Sequence, residues 1–349
     1  MKKIYKIFIT VFLIIQSSNA LSNEPSFDIW LKSFKSYALK NGISEKTFDL
    51  SMSKVKFNPK VIEYDRFQPE FYEDTKTYIK KRSSDSKVKN AIKIYKNNKI
   101  LIDEIEKKFS IEKELLLALM GIETNFGKYL GKMDILSSLA TLSFDKRRSE
   151  FFTSELITIL QLIDSGIIDY KILYGSWAGA FGNFQFMPST IKNYAIDYDN
   201  NNIIELKKSN DSFASAANYL RKMGWKKNQP CFKKVILSNK IPKKFLNTSA
   251  RNIKNKTSVN KIKKYLVNYN DYNLDKTDIV GVITPDKDII PDAENLSPAY
   301  LVFNNYELIL KWNRSLRFAL AVCTLKEKIS NESKKIININ IIFFMFMFN

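Results

Sequence analysis

From Phe27 to Phe109 apolar residues recur three or four apart, as in Phe27, Trp30, Phe34 and Tyr37 and again in Ile102, Ile105 and Phe109. A helix turns that period into one buried face, so this part of the chain is predicted to fold as short packed helices. The span from Ile111 to Trp225 keeps helical segments between loops and carries most of the glycines. After Trp225 the composition shifts to Lys, Asn, Val and Ile, with Pro230, Pro242, Pro285, Pro291 and Pro298 as breakers. Short strands and long loops are expected there. Tyr300 to Phe303 reads as a strand, and Tyr306 to Ile329 returns to helical spacing. The expected class is mainly α (α+β).

The first twenty residues set the compartment. Lys2, Lys3 and Lys6 precede an apolar run from Ile7 to Ile15, and Ser18-Asn19-Ala20 offers a small-x-small cleavage site. That is the pattern of a secretory signal peptide over residues 1–20, and the run is too short for a spanning helix. Residues 21–110 are then expected to form an N-terminal helical subdomain, 111–230 a catalytic core, 231–299 a small β-containing subdomain, and 300–330 a strand and helix completing the core. Residues 331–349 are expected to be a frayed or loosely docked apolar tail of unknown role.

The formal net charge of +20 suits an acidic polymer, and an exported chain does not meet nucleic acid. Cys231 and Cys323 could pair in an oxidising compartment or stay apart as small buried residues, and the sequence leaves both open. There is no histidine, which removes His-assisted nucleophilic catalysis and most zinc sites. Chemistry must run on carboxylates, hydroxyls, amides and arginines.

Two segments carry candidate chemistry. Ser110 is placed to cap a helix containing Leu115, Leu116, Leu119 and Met120, with Gly127 placed to end it, so Glu123 falls in its last turn on the face of Leu116 and Leu119. Partial desolvation and the negative end of the helix dipole both favour the protonated acid, the form needed to protonate a glycosidic oxygen. A Glu at a helix end that reaches into water is the plainer reading of this segment by itself. The second segment, Tyr174 to Ser189, combines three glycines with Trp177, Phe184, Gln185 and Phe186, a composition suited either to a sugar-binding cleft wall or to a tight loop between packed helices.

Gly121-Ile122-Glu123-Thr124-Asn125-Phe126-Gly127, Ala140 to Phe144 with Arg147-Arg148, Ser176 to Ala180, Gln185 to Ser189, Ala217-Asn218-Tyr219 and Trp312 to Ser315 occur in this order. Together they resemble the lytic murein transglycosylases of the membrane-bound B type, glycoside hydrolase family 103, over a span from about Gln68-Pro69-Glu70-Phe71 to about Ala321. The resemblance implies a lysozyme-like helical core with flanking subdomains and Glu123 as sole catalytic acid/base. It places substrate contacts at Arg147, Arg148, Ser176, Gln185, Tyr219, Trp312 and Asn313. Asn183-Phe184 departs from the family pattern, with a ring expected to narrow or reshape one sugar subsite. The segment Asp197 to Ile203 offers oxygen ligands at alternating positions. Asp197, Asp199, Asn201, the Ile203 carbonyl and Asp211 could hold a structural calcium ion of the kind the family often carries, although Asn202 and Lys208 replace the usual Gly and Glu. An Asn-rich turn is the alternative.

If the resemblance holds, Glu123 protonates the oxygen between MurNAc and GlcNAc, then takes the proton of the MurNAc C6 hydroxyl as it attacks C1, leaving a 1,6-anhydro sugar. No cofactor is required for that chemistry. The partner is the peptidoglycan glycan strand and not nucleic acid, the protein is expected to be a monomer in the periplasm, and weak proximity to the outer or inner membrane is compatible with it. One rival is a hydrolytic muramidase with Asp145 or Glu150 as second carboxylate; another is a non-catalytic glycan-binding protein.

Overall fold

A computed structural model describes residues 26–67, 73–286 and 296–347. The signal-peptide segment and the Gln68-Pro69-Glu70-Phe71 motif lie outside the described residues. The chain is mainly helical. Six helices come first: α1 (Phe27–Lys40), α2 (Glu45–Met52), α3 (Pro59–Arg66), α4 (Thr75–Arg82), α5 (Asp85–Asn97) and α6 (Lys99–Phe109). Local chemistry starts several of them, since the side chains of Ser44, Asn58 and Asp74 accept backbone N–H groups in the first turns of α2, α3 and α4.

The centre follows, with α7 (Lys113–Glu123), α8 (Ile135–Phe144), α9 (Ser149–Asp164), α10 (Pro188–Tyr194) and α11 (Ser209–Lys222). Before α8 lies β1 (Met133–Asp134), which pairs antiparallel with β2 (Tyr174–Gly175). Every residue from Leu115 to Gly121 in α7 is buried, as is every residue from Ile135 to Ser143 in α8. Each fully buried leucine contributes about 1.5–3 kcal/mol relative to exposure. That burial holds the α7 backbone in place at both ends, whatever its terminal side chains cost.

The expected β-containing segment is a five-stranded sheet. It comprises β3 (Phe232–Val235), β4 (Leu246–Asn247), β5 (Lys256–Ser258), β6 (Ile279–Ile283) and β7 (Ala299–Val302), with the short helix α12 (Val259–Ile262) beside it. The order is β3-β7-β6-β4 with β5 on β6, antiparallel except for β4 against β6. It has its own core, in which Leu237, Val259, Ile262, Val280, Val282 and Leu301 pack together. The helical core is a separate cluster that runs without a break from Phe34 through α7 and α8 to Ile329.

Two helices close the chain, α13 (Asn304–Trp312) and α14 (Leu316–Met347). The latter packs along α4, α5 and α7. The residues from 331, expected as a frayed or loosely docked tail, continue α14 as far as Met347, since the stretch from Lys326 to Ile341 contains neither Gly nor Pro. No helix of the described residues is long and apolar enough to cross a membrane. Cys231 and Cys323 form a disulfide with Cα atoms 6.2 Å apart, tying the start of the sheet segment to α14.

Candidate active site

Glu123 is the last residue of α7, and its neighbourhood differs from the sequence expectation at both ends of the helix. Ser110 does not cap α7. It sits in the left-handed conformation at φ 57° and ends α6, while Glu112 occupies the N-cap of α7. At the other end the helix stops before Gly127, and Asn125, Phe126 and Gly127 form a run of positive φ at 48°, 62° and 80°. Asparagine and glycine tolerate that conformation, whereas phenylalanine adopts it only where packing imposes it. Here the Phe126 ring lies over Gly121, so closely that a Cβ added to Gly121 would sit 2.7 Å from the ring. The turn is also pinned by Thr124, whose hydroxyl donates to the Asn183 carbonyl at 2.9 Å and accepts the Gly127 N–H at 3.0 Å. Asn183 is buried and donates to the Lys207 carbonyl and to Ser212. The end of α7 is therefore fixed by the loop around Asn183.

The Glu123 Oε1 accepts the indole N–H of Trp312 at 3.0 Å. The residue keeps partial exposure to a hollow of about 460 Å³, lined also by Lys81, Lys87, Asn90, Thr124, Asn125 and Tyr129. Desolvation of the carboxyl pushes its pKa up to about 8, against the lowering effect of the Trp312 bond. Lys87 donates to the Gly121 carbonyl and to Asn125 Oδ1, and so caps the C-terminal end of α7. Burial lowers its own pKa, with a smaller contribution from Arg82.

A second hollow of about 620 Å³ lies on the other side of Trp312 and is lined by Arg148, Glu155, Gln185, Tyr219, Lys311 and Arg314 among others. Its inner wall is aromatic: Tyr219 lies tilted against Trp312 at 5.0 Å between centroids and is backed by Tyr194 at 4.3 Å, and Phe186 meets Trp312 edge-on at 5.3 Å. Burial, with a smaller contribution from Tyr194, pushes the Tyr219 phenol up to about 12, so it stays a neutral hydrogen-bonding group. Gln185, at φ 51°, donates to the Gly182 carbonyl at 2.9 Å.

Gln185, Tyr219 and Trp312 thus come together in the larger hollow, with Trp312 bonded to Glu123, while other expected contacts do not. Phe184, the ring expected to narrow or reshape a sugar subsite, is buried at 2 % exposure against Phe213 and edge-on to Trp312, so it acts on the wall from within. Ser176 accepts the Ala180 N–H at 2.9 Å, shaping its own turn, and Asn313 is exposed; neither lines either hollow. Arg147 and Arg148 are not free cations. Both bind the buried Asp65 of α3, Arg147 through the side chain at 3.0 Å and the carbonyl at 2.6 Å, and Arg148 through a direct ion pair. Of the two, Arg148 alone lines the larger hollow.

The sequence reading passed over Glu155 and Lys87. Glu155 is buried at 3 % and accepts the Ser189 N–H at 2.8 Å and hydroxyl at 2.6 Å, which fixes the start of α10 next to the Gln185 turn. A signal existed, since Glu155 sits on the apolar face shared by Phe152 and Ile159. Lys87 reaches its place through packing between helices and leaves no local trace.

Among the described residues, the carboxylate oxygens of Asp197, Asp199 and Asp211 converge to within 4.8 Å of one another. Asp197 accepts the N–H groups of Asn201 and Asn202 at 3.1 and 2.7 Å, and Asn202 takes the left-handed conformation at φ 68° that the missing glycine would otherwise supply. Asn201 Oδ1 accepts the Ile203 N–H at 2.9 Å. Lys208, standing where a calcium loop ends in Glu, pairs with Glu205 at 2.6 Å. The hard oxygens of this set are of the type a calcium ion takes, and both Asp211 oxygens also accept backbone N–H groups, from Tyr198 and Glu205 at 2.8 Å each.

Comparisons with known proteins agree with this architecture. The chain is 36 % identical over 151 residues to membrane-bound lytic murein transglycosylase B of Escherichia coli, a match covering 43 % of this chain and 42 % of that protein. The structure of SltB3 from Pseudomonas aeruginosa in complex with NAG-anhNAM-pentapeptide superposes with a TM-score of 0.77 at 29 % identity, covering 87 % of this chain and 80 % of that one. The Escherichia coli lytic transglycosylase Slt35 in complex with calcium shares the fold, with a TM-score of 0.72 at 24 % identity over 86 % of this chain and 93 % of that one. Residues 26–327 match the family described as Transglycosylase SLT domain, which takes in both hollows, the end of α7 and the aromatic wall, and the chain belongs to that family.

Proposed function

We propose that this protein is a peptidoglycan lytic transglycosylase that cleaves the β-1,4 bond between MurNAc and GlcNAc, with Glu123 acting first as acid and then as base. The observation that carries the reading is a desolvated carboxyl, its pKa pushed up to about 8, that lines one hollow and is bonded to Trp312 in the wall of the other. A glycan lying across both hollows puts one glycosidic bond at Glu123. The protonated acid gives its proton to the bridging oxygen as the C1–O bond breaks. The resulting carboxylate then takes the proton of the C6 hydroxyl as O6 bonds to C1. Atoms balance without water, and the tethered nucleophile has the effective-molarity advantage of an intramolecular step. The anhydro ligand of the SltB3 complex is the product type this route would leave.

The two-carboxylate alternative has little support in the geometry. Asp145 is held by Arg66 through bonds of 2.9 and 3.2 Å, and that pairing lowers its pKa. Glu150 is exposed and lines neither hollow. The substrate contacts we assign are Gln185 and Tyr219, with Arg148 at the far rim; Arg147 is held by Asp65 and Ser176 shapes its own turn, and Asn313 is exposed outside both hollows. Peptidoglycan strands are the partner, and export to the periplasm fits the Cys231–Cys323 disulfide. Purified sacculi provide the test. Products lighter by one water than those of lysozyme at the same bonds are expected, and products ending in reducing MurNAc would overturn the reaction type.

Calcium is proposed as a structural ligand of Asp197, Asp199, Asn201, the Ile203 carbonyl and Asp211. It would neutralise three converging carboxylates and take no part in the chemistry. Thermal melting should rise with calcium and fall with chelator; an unchanged melting temperature in both would overturn the assignment.

A further inference from the structure

We propose that Trp312 is a positioning residue that fixes which oxygen of Glu123 carries the acid proton, an inference that rests on the Glu123 assignment above. The indole N–H can only donate. It donates to Oε1 at 3.0 Å, and since the carbonyl oxygen of a carboxylic acid is a better acceptor than its hydroxyl oxygen, this bond favours the acid proton on Oε2. The indole is in turn held in one orientation. Tyr219 lies tilted against it at 5.0 Å, while Phe186 and Phe184 meet it edge-on at 5.3 and 6.3 Å. Four rings from three parts of the chain thereby set one hydrogen-bond direction. The resemblance places Trp312 among the substrate contacts, but its polar edge is spent on the carboxyl.

The charged and titratable groups around Glu123 are Lys81 of α4, Lys87 of α5 and Tyr129 of the loop after α7, with Tyr219 of α11 behind the indole. Among the described residues Lys81 pairs with Glu73, and Lys87 bonds the Gly121 carbonyl and Asn125. The indole is therefore the hydrogen-bonding contact to the carboxyl on which a proton-placement role depends. In the reaction Oε2 releases its proton to the bridging oxygen, which keeps the electron pair of the broken C1–O bond. The N–H bond strengthens on the carboxylate so formed, and Oε2 recovers a proton from the C6 hydroxyl.

The test is Trp312→Phe, which keeps an aromatic ring against Tyr219 and removes the donor. A substitution by benzothienylalanine, with sulfur in place of the N–H, serves as the isosteric second variant should the phenylalanine protein not fold. Loss of the donor disfavours the carboxylate, so the alkaline limb of the kcat profile should move up by about one pH unit, with kcat on the plateau reduced about tenfold and KM changed far less. A raised KM with an unmoved alkaline limb would overturn the proposal and make Trp312 a substrate platform. Glu123→Gln, assayed in parallel, separates the two levels: if it is active, both the acid assignment and the role of Trp312 fall. If it is inactive while Trp312→Phe leaves the limb in place, only the role of Trp312 falls.

Discussion

The two ends of α7 pose the same problem and solve it in opposite ways. Glu112 at the N-terminal end and Glu123 at the C-terminal end are both carboxylates drawn into the helical core, and each accepts a tryptophan N–H, from Trp225 at 2.6 Å and from Trp312 at 3.0 Å. Burial by itself would raise both pKa values. At Glu112 a bond and ion pair from Lys326 at 2.8 Å and the Asn228 N–H at 3.0 Å overcome it, and the pKa ends below its ordinary value. At Glu123 the indole is opposed by burial alone, and the pKa ends at about 8. The helix dipole works in the same sense, favouring charge at the first end and disfavouring it at the second. An indole N–H therefore does not make a buried carboxylate; a cation does. One end is built to stay charged and the other to hold a proton.

The sharpest way to break this comparison is Glu123→Gln, for which a loss of activity of about 10³-fold or more is expected under the proposed route, in which one group serves as acid and base. Stability should move the other way. The folded pKa of Glu123 is raised above its unfolded value, so the folded state binds the extra proton between pH 4.5 and about 8. Stability from this group is fully present below the unfolded value and is lost as pH rises through that window. The Gln variant lacks this loss and should be more stable than wild type at pH 7 by about 1–3 kcal/mol, after discounting for the partly exposed rim. Urea unfolding at pH 5 and pH 7 checks it: a wild-type protein as stable at pH 7 as at pH 5, relative to Gln, would remove the desolvation argument.

Glu112→Ala probes the charged end. It leaves Lys326 half-enclosed without its carboxylate, and it strips an acceptor from Trp225 and Asn228. Removing one partner of a buried pair costs about 3–5 kcal/mol, and activity per folded molecule should change little. Equal effects of Glu112→Ala and Glu123→Gln on turnover would erase the distinction between the two ends.

Sequence periodicity carried the helical class, the strand-forming segment after Trp225 and the position of Glu123 on a leucine face, because these depend on local spacing. The caps of α7 were misread for a physical reason. Ser110 is a good capping residue, but tertiary bonds to Trp225, Asn228 and Lys326 place Glu112 there instead, and no local pattern encodes them. The same holds for Arg147 and Arg148, whose partner Asp65 is more than eighty residues away in sequence. Trp312 was legible as a site residue through its family motif, yet its bond to Glu123 spans 189 positions and could come only from the fold.

Gly121→Ala sharpens the comparison with a smaller effect, since it acts on the geometry of one end without touching charge. The added Cβ would lie 2.7 Å from Phe126, whose φ of 62° is already held by that packing. Either the ring or the turn must shift, which should cost about 1–3 kcal/mol and reduce turnover through misplacement of Glu123. Turnover at wild-type level would mean that the turn is not what places the carboxyl.

The smallest expected effect belongs to Asp145→Asn, and its value lies in what it excludes. Asp145 forms a two-bond ion pair with Arg66 near the surface, and side-chain bonding by Arg66 is the main cause of its lowered pKa. An exposed pair of this kind contributes about 0–1 kcal/mol, so the variant should unfold within that margin of wild type. Arg66 also reaches Asp65 at 3.4 Å, which gives it an alternative partner when Asp145 is neutral. Turnover on sacculi should stay within about twofold of wild type, because in a one-carboxylate route no nucleophile or water-activating base is required beyond Glu123. A loss approaching that of Glu123→Gln, without a matching loss of stability, would show that a second carboxylate takes part. The contrast would then lie between two catalytic carboxyls rather than between the two ends of one helix.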